Sequence, residues 1–191
     1  ECLDTILAQD GAPPVVVVDN ASRESLPALP VGVEVVRSPC RLSVGAARNL
    51  GLESVRTPYV VFCDADDVLL PGGLAFLLSR VRGRPELVGC VGRYESWRPE
   101  TGERRLLDRA PRPIVFRVSR LRRVFALANL RYNCFPVVGC VLRTEAVRAA
   151  GGFGDGDVGE DWILGTQLAF RGPIDFQRRP VNGLRDVCRS R

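Results

Sequence analysis

Histidine, lysine and methionine are all absent from this chain of 191 residues. Without histidine, the chain cannot build a Ser-His-Asp or Cys-His catalytic arrangement, so any general base has to be a carboxylate. Since all 27 basic residues are arginine, we attribute this bias to genomic base composition and do not derive nucleic-acid binding from the net charge of +5. Because the chain begins at Glu1 and has no methionine, we expect its natural N-terminus to be missing, and a targeting segment could have been lost with it.

Cysteine is present, but its pattern indicates neither a zinc site nor a disulfide framework. The seven cysteines are spread singly, without a C-x-x-C pair, and their number is odd. We therefore expect reduced, mostly buried thiols in a cytoplasmic protein. No apolar run approaches the ~20 residues that a membrane-spanning helix needs, and no signal peptide is visible.

The composition is that of an ordinary globular domain, with 46% hydrophobic and 26% charged residues. The length suits a single domain with a core of its own. Helix and strand patterns alternate along the first half of the chain, which predicts an open parallel α/β sheet. Residues 15–18 are four valines in a row, a pattern typical of a strand covered on both faces.

An acidic stretch follows the predicted strand at residues 59–63. Asp64, Asp66 and Asp67 lie at the end of that strand. Carboxylates crowded at such a position repel one another and are costly to desolvate unless a cation or a ligand rich in donors compensates them. The edge formed by strand C-termini is also where α/β sheets bind ligands. The stretch therefore predicts a metal or nucleotide site, and the alternative is a solvated loop that caps the next helix.

Polar residues also mark two other places in the first half of the chain. Asp19 and Asn20 follow the valine run, where they could bind a ligand or simply cap a turn. Arg48 lies in the first turns of a predicted helix at residues 45–55. The N-terminus of that helix is a suitable place for an anion such as a diphosphate, and the alternative for Arg48 is a surface side chain.

In the second half, a basic helix and a glycine-rich loop stand out. The helix, at residues 117–131, could rest on an acidic membrane surface at the inner face or on a phosphate-bearing acceptor, or it could pack on the core with a solvated basic side. The loop, at residues 151–162, ends in Glu160 and Asp161, which begin another helix. The helix dipole favours a negative charge there, and capping is the alternative role for Asp161.

Five segments, in the same order and spacing, resemble the inverting glycosyltransferases of family 2. They are residues 15–22 (V-V-V-V-D-N-A-S), 45–51 (G-A-A-R-N-L-G), 60–74 (V-V-F-C-D-A-D-D-V-L-L-P-G-G-L), 139–153 (G-C-V-L-R-T-E-A-V-R-A-A-G-G-F) and 159–162 (G-E-D-W). The resemblance implies one GT-A domain over residues 1–191, with a Rossmann-like, mostly parallel central sheet flanked by helices. Its nucleotide-binding half would cover about residues 1–95 and its acceptor-side half about residues 96–191.

The same resemblance implies roles for the candidates on the donor side. Asp19, with Asn20 beside it, would contact the base or ribose of a nucleotide-sugar. Arg48 would lie near the nucleotide, and Asp64 near the ribose. The family's usual first strand has no counterpart here, so we expect exposed sheet edges and a partly open donor site.

For the chemistry, the resemblance implies a divalent cation, Mg²⁺ or Mn²⁺, held by Asp66, with Asp67 as a neighbouring alternative ligand. Asp161 would be the general base that deprotonates the acceptor hydroxyl, and Glu160 would contact the substrate. The expected activity is therefore a metal-dependent, inverting transfer of a sugar from a nucleotide-diphosphate donor to a saccharide or lipid-linked acceptor. Two alternatives are a non-catalytic relative that binds nucleotides or glycans and, less favoured, a nucleotidyltransferase.

Overall fold

The computed structural model describes residues 1–11, 13–98, 101–106, 122–131, 137 and 139–185. The described helices are α1 (Cys2–Leu7), α2 (Val44–Ser54), α3 (Gly73–Val81), α4 (Arg122–Arg131), α5 (Thr144–Ala149) and α6 (Glu160–Arg171). The described strands are β1 (Val15–Asp19), β2 (Val33–Arg37), β3 (Tyr59–Val60), β4 (Val68–Leu69), β5 (Gly89–Trp97), β6 (Arg104–Leu106), β7 (Val141–Arg143) and β8 (Ile174–Arg185).

The described strands form a pair, β1–β2, and a six-stranded sheet in the order β3-β7-β5-β8-β4, with β6 paired to β5. The predicted α/β class with flanking helices is confirmed. The pairing is mixed, however, and not mostly parallel: β1–β2 and β5–β8 are parallel, and the other four described pairs are antiparallel. Strands β5 and β6 are separated only by residues 98–103, which is too short for the crossover that parallel strands need. The two strands pair as an antiparallel hairpin.

The six-stranded sheet is covered on both faces. Cys90 and Val141 belong to one apolar cluster, together with residues of α3. Val91 and Leu142 belong to a second cluster, together with residues of α2, α4, α5 and α6. Because consecutive side chains of a strand point to opposite faces, the two clusters lie on opposite sides of the sheet.

The valines of β1 are only half-buried, so the prediction that this strand is covered on both faces is wrong. Among the described strands, β1 pairs with β2 alone, and its other edge lacks a neighbouring strand that would bring further cover. The basic helix predicted from residue 117 is described from Arg122 onward; its first five residues lie outside the described part. Within that part, no helix combines the length and the apolar character needed to cross a membrane.

Helix α1 lies along the segment that follows the acidic stretch. The hydroxyl oxygen of Thr5 accepts a hydrogen bond from the main-chain N–H of Leu69 (3.1 Å). The buried amide of Gln9 donates to the carbonyl oxygen of Leu70 (3.2 Å) and accepts from the N–H of Leu74 (3.2 Å). These bonds hold α1 beside the part of the chain that carries the candidate carboxylates.

Candidate active site

Arg48 of α2 forms the centre of the candidate site. Its Nη2 lies 2.7 Å from Oδ1 of Asp64, and its Nη1 lies 2.5 Å from Oε1 of Glu160. The side chains of Arg48 and Glu160 are 14% and 8% exposed, whereas that of Asp64 is 44% exposed. One guanidinium therefore joins the acidic stretch after β3 to the first turn of α6. Sequence reasoning proposed all three residues but did not indicate that they contact one another.

The aromatic ring of Phe153 holds the guanidinium from a third side. Its centroid lies 5.2 Å from Cζ of Arg48, a distance typical of a cation–π contact. The ring packs edge-on against Phe62, with centroids 4.7 Å apart. Burial lowers the pKa of Arg48, but the hydrogen bonds and charges of Asp64 and Glu160 outweigh it and raise that pKa. The side chain is thus a fixed cation with defined partners.

The N-terminus of α2 is capped by the protein itself. Ser43, the N-cap residue, accepts a hydrogen bond from the N–H of Ala46 (3.2 Å) and donates its hydroxyl proton to Asp155 (2.6 Å). The main-chain N–H of Val44 donates to a carboxylate oxygen of Asp157 (2.9 Å). In this structure the helix end that was predicted to suit a diphosphate is therefore occupied by Ser43 and by Asp157 of the glycine-rich loop.

The glycine-rich loop also packs closely against α2 at Asn49 and Gly45. The side-chain amide of Asn49 donates to the carbonyl of Phe153 (2.9 Å) and accepts from its N–H (2.8 Å). A Cβ on Gly45 would lie only 1.9 Å from the carbonyl oxygen of Gly154. Sequence reasoning missed these positioning residues. The signal that could have found them is the glycine at the start of the helix, which permits the main chain of a neighbour to approach.

Asp19 and Asn20 make their contacts at the end of β1. Asp19 is buried; its Oδ1 accepts the N–H of Ser22 (2.9 Å), and its Oδ2 lies 3.4 Å from Nε of Arg37. The hydrogen bond from the Ser22 N–H lowers the pKa of Asp19, and the charge of Arg37 adds to this effect. The amide of Asn20 bonds both the N–H (2.8 Å) and the carbonyl (2.9 Å) of Leu42, and so fixes the loop that leads into α2.

A cavity of about 440 Å³ opens beside this group, lined by Ala21, Arg37, Ser38 and Pro39. Its volume falls within the range of small-molecule pockets. Ala21 adopts a left-handed backbone conformation with φ of 55°, which is uncommon for a residue with a side chain. The cavity is thus the space next to the predicted base- or ribose-binding pair.

The acidic stretch turns its three carboxylates in different directions. The N–H of Asp67 donates to the carbonyl of Asp64 (3.0 Å), which closes a tight turn. As a result, Asp66 is exposed, while Asp67 is 8% exposed and is directed into the protein. In the described part of the chain, no three Cys, Asp or Glu side chains are grouped closely enough to hold a metal ion by themselves. Carboxylate oxygens do suit Mg²⁺, which proteins commonly bind through one or two carboxylates plus the phosphates of a substrate. The exposed carboxylate of Asp66 therefore fits a cation whose remaining ligands come from a diphosphate.

Asp161 lies next to Glu160 in the first turn of α6. It is half-buried, and its Oδ1 accepts the main-chain N–H of Trp162 (2.7 Å). Through Glu160 and Arg48, this turn is connected to Asp64. The structure thus brings Arg48, Asp64 and the Glu160-Asp161 pair into one group, while the polar pair at the end of β1 bonds to other parts of the chain.

The family model described as "Glycosyl transferase family 2" matches residues 1–141, which is well over half of the chain. The chain belongs to glycosyl transferase family 2. The family assignment drawn from the five sequence segments is therefore confirmed.

Solved structures of S. aureus TarS share the fold of this family member. TarS itself matches with a TM-score of 0.71 at 14% identity, over 97% of this chain and 34% of that chain. TarS 1-349 in complex with UDP matches with a TM-score of 0.72 at 15% identity, over 97% and 55% of the two chains. The same fragment in complex with UDP-GlcNAc matches with a TM-score of 0.70 at 14% identity, over 97% and 54%. These matches confirm the predicted GT-A fold.

A shorter match links the family member to a curated protein. Over 54 residues it is 37% identical to the teichoic acid poly(glycerol phosphate) polymerase of Staphylococcus epidermidis. The matched segment covers 28% of this chain and 8% of the polymerase. The chain thus spans only about a third to a half of the TarS chains and a small part of the polymerase.

Proposed function

We propose that this family 2 domain transfers a sugar from a nucleotide-diphosphate sugar to a hydroxyl group of a saccharide or lipid-linked acceptor. The observation that carries the proposal is the Arg48 bridge, which joins Asp64 on the donor side to Glu160 beside the candidate base. The structural neighbours in complex with UDP and UDP-GlcNAc make uridine nucleotides the first donors to test. In the reaction, a bond forms between the acceptor oxygen and the anomeric carbon of the sugar as the bond from that carbon to the diphosphate breaks.

On the donor side, Asp19 and Asn20 would contact the base or ribose at the end of β1, next to the cavity that Ala21 and Arg37 line. Both side chains form internal hydrogen bonds, which would fix the shape of the loop around the ligand. Asp64 is 44% exposed, so its carboxylate is accessible to a ribose hydroxyl while one of its oxygens pairs with Arg48. Arg48 would act by positioning this carboxylate, because its own Nη atoms are engaged with Asp64 and Glu160.

For the leaving group, exposed Asp66 would hold a divalent cation, Mg²⁺ or Mn²⁺, with the buried Asp67 beside it as the alternative ligand. When bound, such a cation stabilises the negative charge that develops on the departing diphosphate. Asp161 would take the proton from the acceptor hydroxyl at its carboxylate. Inversion requires one such base on the face of the sugar opposite the diphosphate, and in a chain without histidine a carboxylate is the residue type suited to that task.

Calorimetry and a transfer assay test these roles separately. UDP titrated into the protein should bind more tightly with Mn²⁺ than without it, and Asp66→Ala should remove that difference. Exposed Asp10, changed to alanine, is the matched control and should bind as the wild type does. UDP binding that is indifferent to both Mn²⁺ and Asp66 contradicts the metal assignment.

The role of Asp161 as base is tested by the transfer assay. Asp161→Asn should leave UDP binding intact and lower transfer from UDP-GlcNAc by about 10²- to 10⁴-fold. Unchanged transfer refutes its role as base.

A binding domain without catalysis is the second candidate function. The valines of β1 are half-buried, and among the described strands β1 pairs with β2 alone. This open donor side supports the second candidate, because it would weaken the alignment of a sugar for attack. Wild-type protein that binds UDP with Mn²⁺ but neither hydrolyses nor transfers any of a panel of nucleotide-sugars would favour this candidate. Consumption of a nucleoside triphosphate with release of pyrophosphate would instead indicate a nucleotidyltransferase.

Helix α4 supports a contact with an acidic membrane surface as part of the same proposal. Val124, Leu127 and Leu130 are 50%, 60% and 57% exposed and recur every three residues, so they share one face of the helix. Arg123 and Arg131 are exposed near its two ends. An apolar face with arginines beside it matches the chemistry of an anionic lipid surface. In flotation with vesicles containing phosphatidylglycerol, we expect binding at low salt that Leu127→Ser weakens; no binding to these vesicles removes the membrane contact from the proposal.

A further inference from the structure

Two cysteine thiols meet beside the acidic stretch, although 61 positions separate them along the chain. Sγ of Cys2, at the start of α1, lies 3.7 Å from Sγ of Cys63. The thiol of Cys2 also donates a hydrogen bond to the main-chain carbonyl of Asp64 (3.3 Å). Both cysteines are half-buried and are not bonded to each other. The contact therefore connects α1 to the residue that directly precedes the candidate carboxylates.

Contacts farther along α1 hold this pair of thiols together. Thr5 bonds Leu69, and Gln9 bonds both Leu70 and Leu74, so the helix is tied to the chain at several points beyond Cys2. Such bonds limit the freedom of α1 to move away from the acidic stretch. Of the other described cysteines, Cys40 is exposed, and Cys90 and Cys140 are buried.

We propose that Cys2 and Cys63 are a thiol–disulfide modification site that couples the oxidation state of the pair to the position of Asp64. A disulfide bond has a length of about 2.0 Å. The two sulfurs therefore have to approach by roughly 1.7 Å, a movement within reach of side-chain rotation at two half-buried residues. The sequence predicts reduced thiols, and the structure shows this pair reduced. Its geometry also permits the second state, a disulfide bond.

The oxidant can be a small-molecule disulfide such as oxidised glutathione. The Cys2 thiolate attacks one glutathione sulfur, forms a mixed disulfide and releases the first glutathione thiolate. The Cys63 sulfur then attacks Cys2 Sγ, forms the internal disulfide and releases the second glutathione, while the thiol proton of Cys63 passes to solvent. The two cysteines lose two electrons in total, and the glutathione disulfide gains them. The hydrogen bond with Cys63 lowers the pKa of Cys2, and that bond together with burial raises the pKa of Cys63, which supports this order of attack.

Oxidation would change the support of Asp64 in two ways. Cys2 would lose its S–H group, and with it the hydrogen bond to the Asp64 carbonyl. Cys63 would also be drawn toward α1, and Asp64, the next residue, would move relative to Arg48. The consequence for donor binding rests on the proposed function, whereas formation of the disulfide does not.

The modification itself is tested by peptide mapping. The protein is incubated with oxidised glutathione, its remaining thiols are alkylated, and the digest is analysed by mass spectrometry. We expect a crosslinked pair of peptides containing Cys2 and Cys63, lighter than the sum of the two by two hydrogen atoms and separated again by dithiothreitol. Cys2→Ser should abolish it, and exposed Cys40 should carry glutathione under the same conditions. Glutathione on Cys40 shows that the oxidant has reacted with the protein. If Cys2 and Cys63 are both alkylated in that sample, they have not formed a disulfide and the proposal is overturned. Linkage of Cys63 to a different cysteine also overturns it.

The coupling to Asp64 is tested on the crosslinked protein by two measurements. In calorimetry with UDP and Mn²⁺, oxidised protein should bind about tenfold more weakly, the effect expected for one lost hydrogen bond to the site, and dithiothreitol should restore the affinity. Cys2→Ser should bind equally with and without oxidant. If the reduced protein does not bind UDP, the proposed function fails, and hydrogen exchange of residues 63–70 reports the coupling instead. Crosslinked protein whose UDP affinity and exchange are both unchanged overturns the coupling.

Discussion

Replacing Arg48 with methionine tests the central bridge, because methionine keeps an unbranched apolar stem but removes the guanidinium and its charge. Glu160 would then be left as a carboxylate that is 8% exposed and has lost its guanidinium partner. Removal of one member of a buried ion pair typically costs about 3–5 kcal/mol. The half-exposed Asp64 adds little, since exposed pairs are worth about 0–1 kcal/mol. We therefore expect a loss of about 3 kcal/mol in the free energy of unfolding.

Thermal and urea denaturation measure this loss. For a domain of this size, about 3 kcal/mol corresponds to a fall in Tm of roughly 6–12 °C. The matched control is Arg123→Met, an exposed arginine on another helix, which should change the free energy of unfolding by less than about 0.5 kcal/mol. A double variant, Arg48→Met with Glu160→Gln, removes the unpaired buried charge and should recover about 1–2 kcal/mol relative to Arg48→Met alone.

The comparison of these variants decides the role of Arg48. If Arg48→Met is no more destabilising than Arg123→Met, the bridge contributes nothing and Arg48 is an ordinary surface arginine. If the double variant is instead the sum of its two single changes, Arg48 and Glu160 do not interact, and the connection between the donor side and the candidate base is refuted.

Two further predictions concern the support of the site. Gly45→Ala should destabilise the protein by about 2–4 kcal/mol in urea denaturation, because its Cβ would lie 1.9 Å from the carbonyl oxygen of Gly154. Gly156→Ala, where a Cβ would find its nearest neighbour at 3.9 Å, should be tolerated, and equal effects of the two changes would contradict the close contact. Asp19→Asn should lower the free energy of unfolding above pH 5, since the folded protein holds the pKa of Asp19 below its ordinary value of about 3.9. The difference from wild type should shrink as the pH falls below that value and Asp19 becomes protonated, so a gap that stays constant down to pH 2 would refute the role of its hydrogen bond with Ser22.

Much of the candidate site could be found from local patterns. The order of strand, acidic stretch and helix lies within residues 59–81 and was visible in the spacing of apolar residues and in the proline and glycines that separate them. The pair Glu160-Asp161 was recognised as a helix start, and α6 begins there. Strands β4 and β8 were missed, because β4 is only two residues long and β8 contains arginines and a proline that mask its alternation.

The contacts that give the site its geometry join parts of the chain that are far apart in sequence. Arg48 meets Glu160 across 112 positions, and Cys2 meets Cys63 across 61. Asp155 and Asp157 likewise accept hydrogen bonds from Ser43 and Val44 at the start of α2, more than 100 positions away. No periodicity in a short window reports such pairings, because they depend on how helices and loops pack around the sheet.

The sequence by itself determined the class of the fold, the family and the residue types available for catalysis. These follow from local hydrophobic patterns, from five short motifs and from the absence of histidine, none of which requires knowledge of distant contacts. Only the tertiary structure decided what each charged side chain faces. It paired Arg48 with two carboxylates, placed a carboxylate of the glycine-rich loop at the N-terminus of α2, and left Asp66 exposed and Asp67 buried. The physical reason is that the free energy of a buried charge depends on its partners and its exposure, and both arise only when the chain is folded.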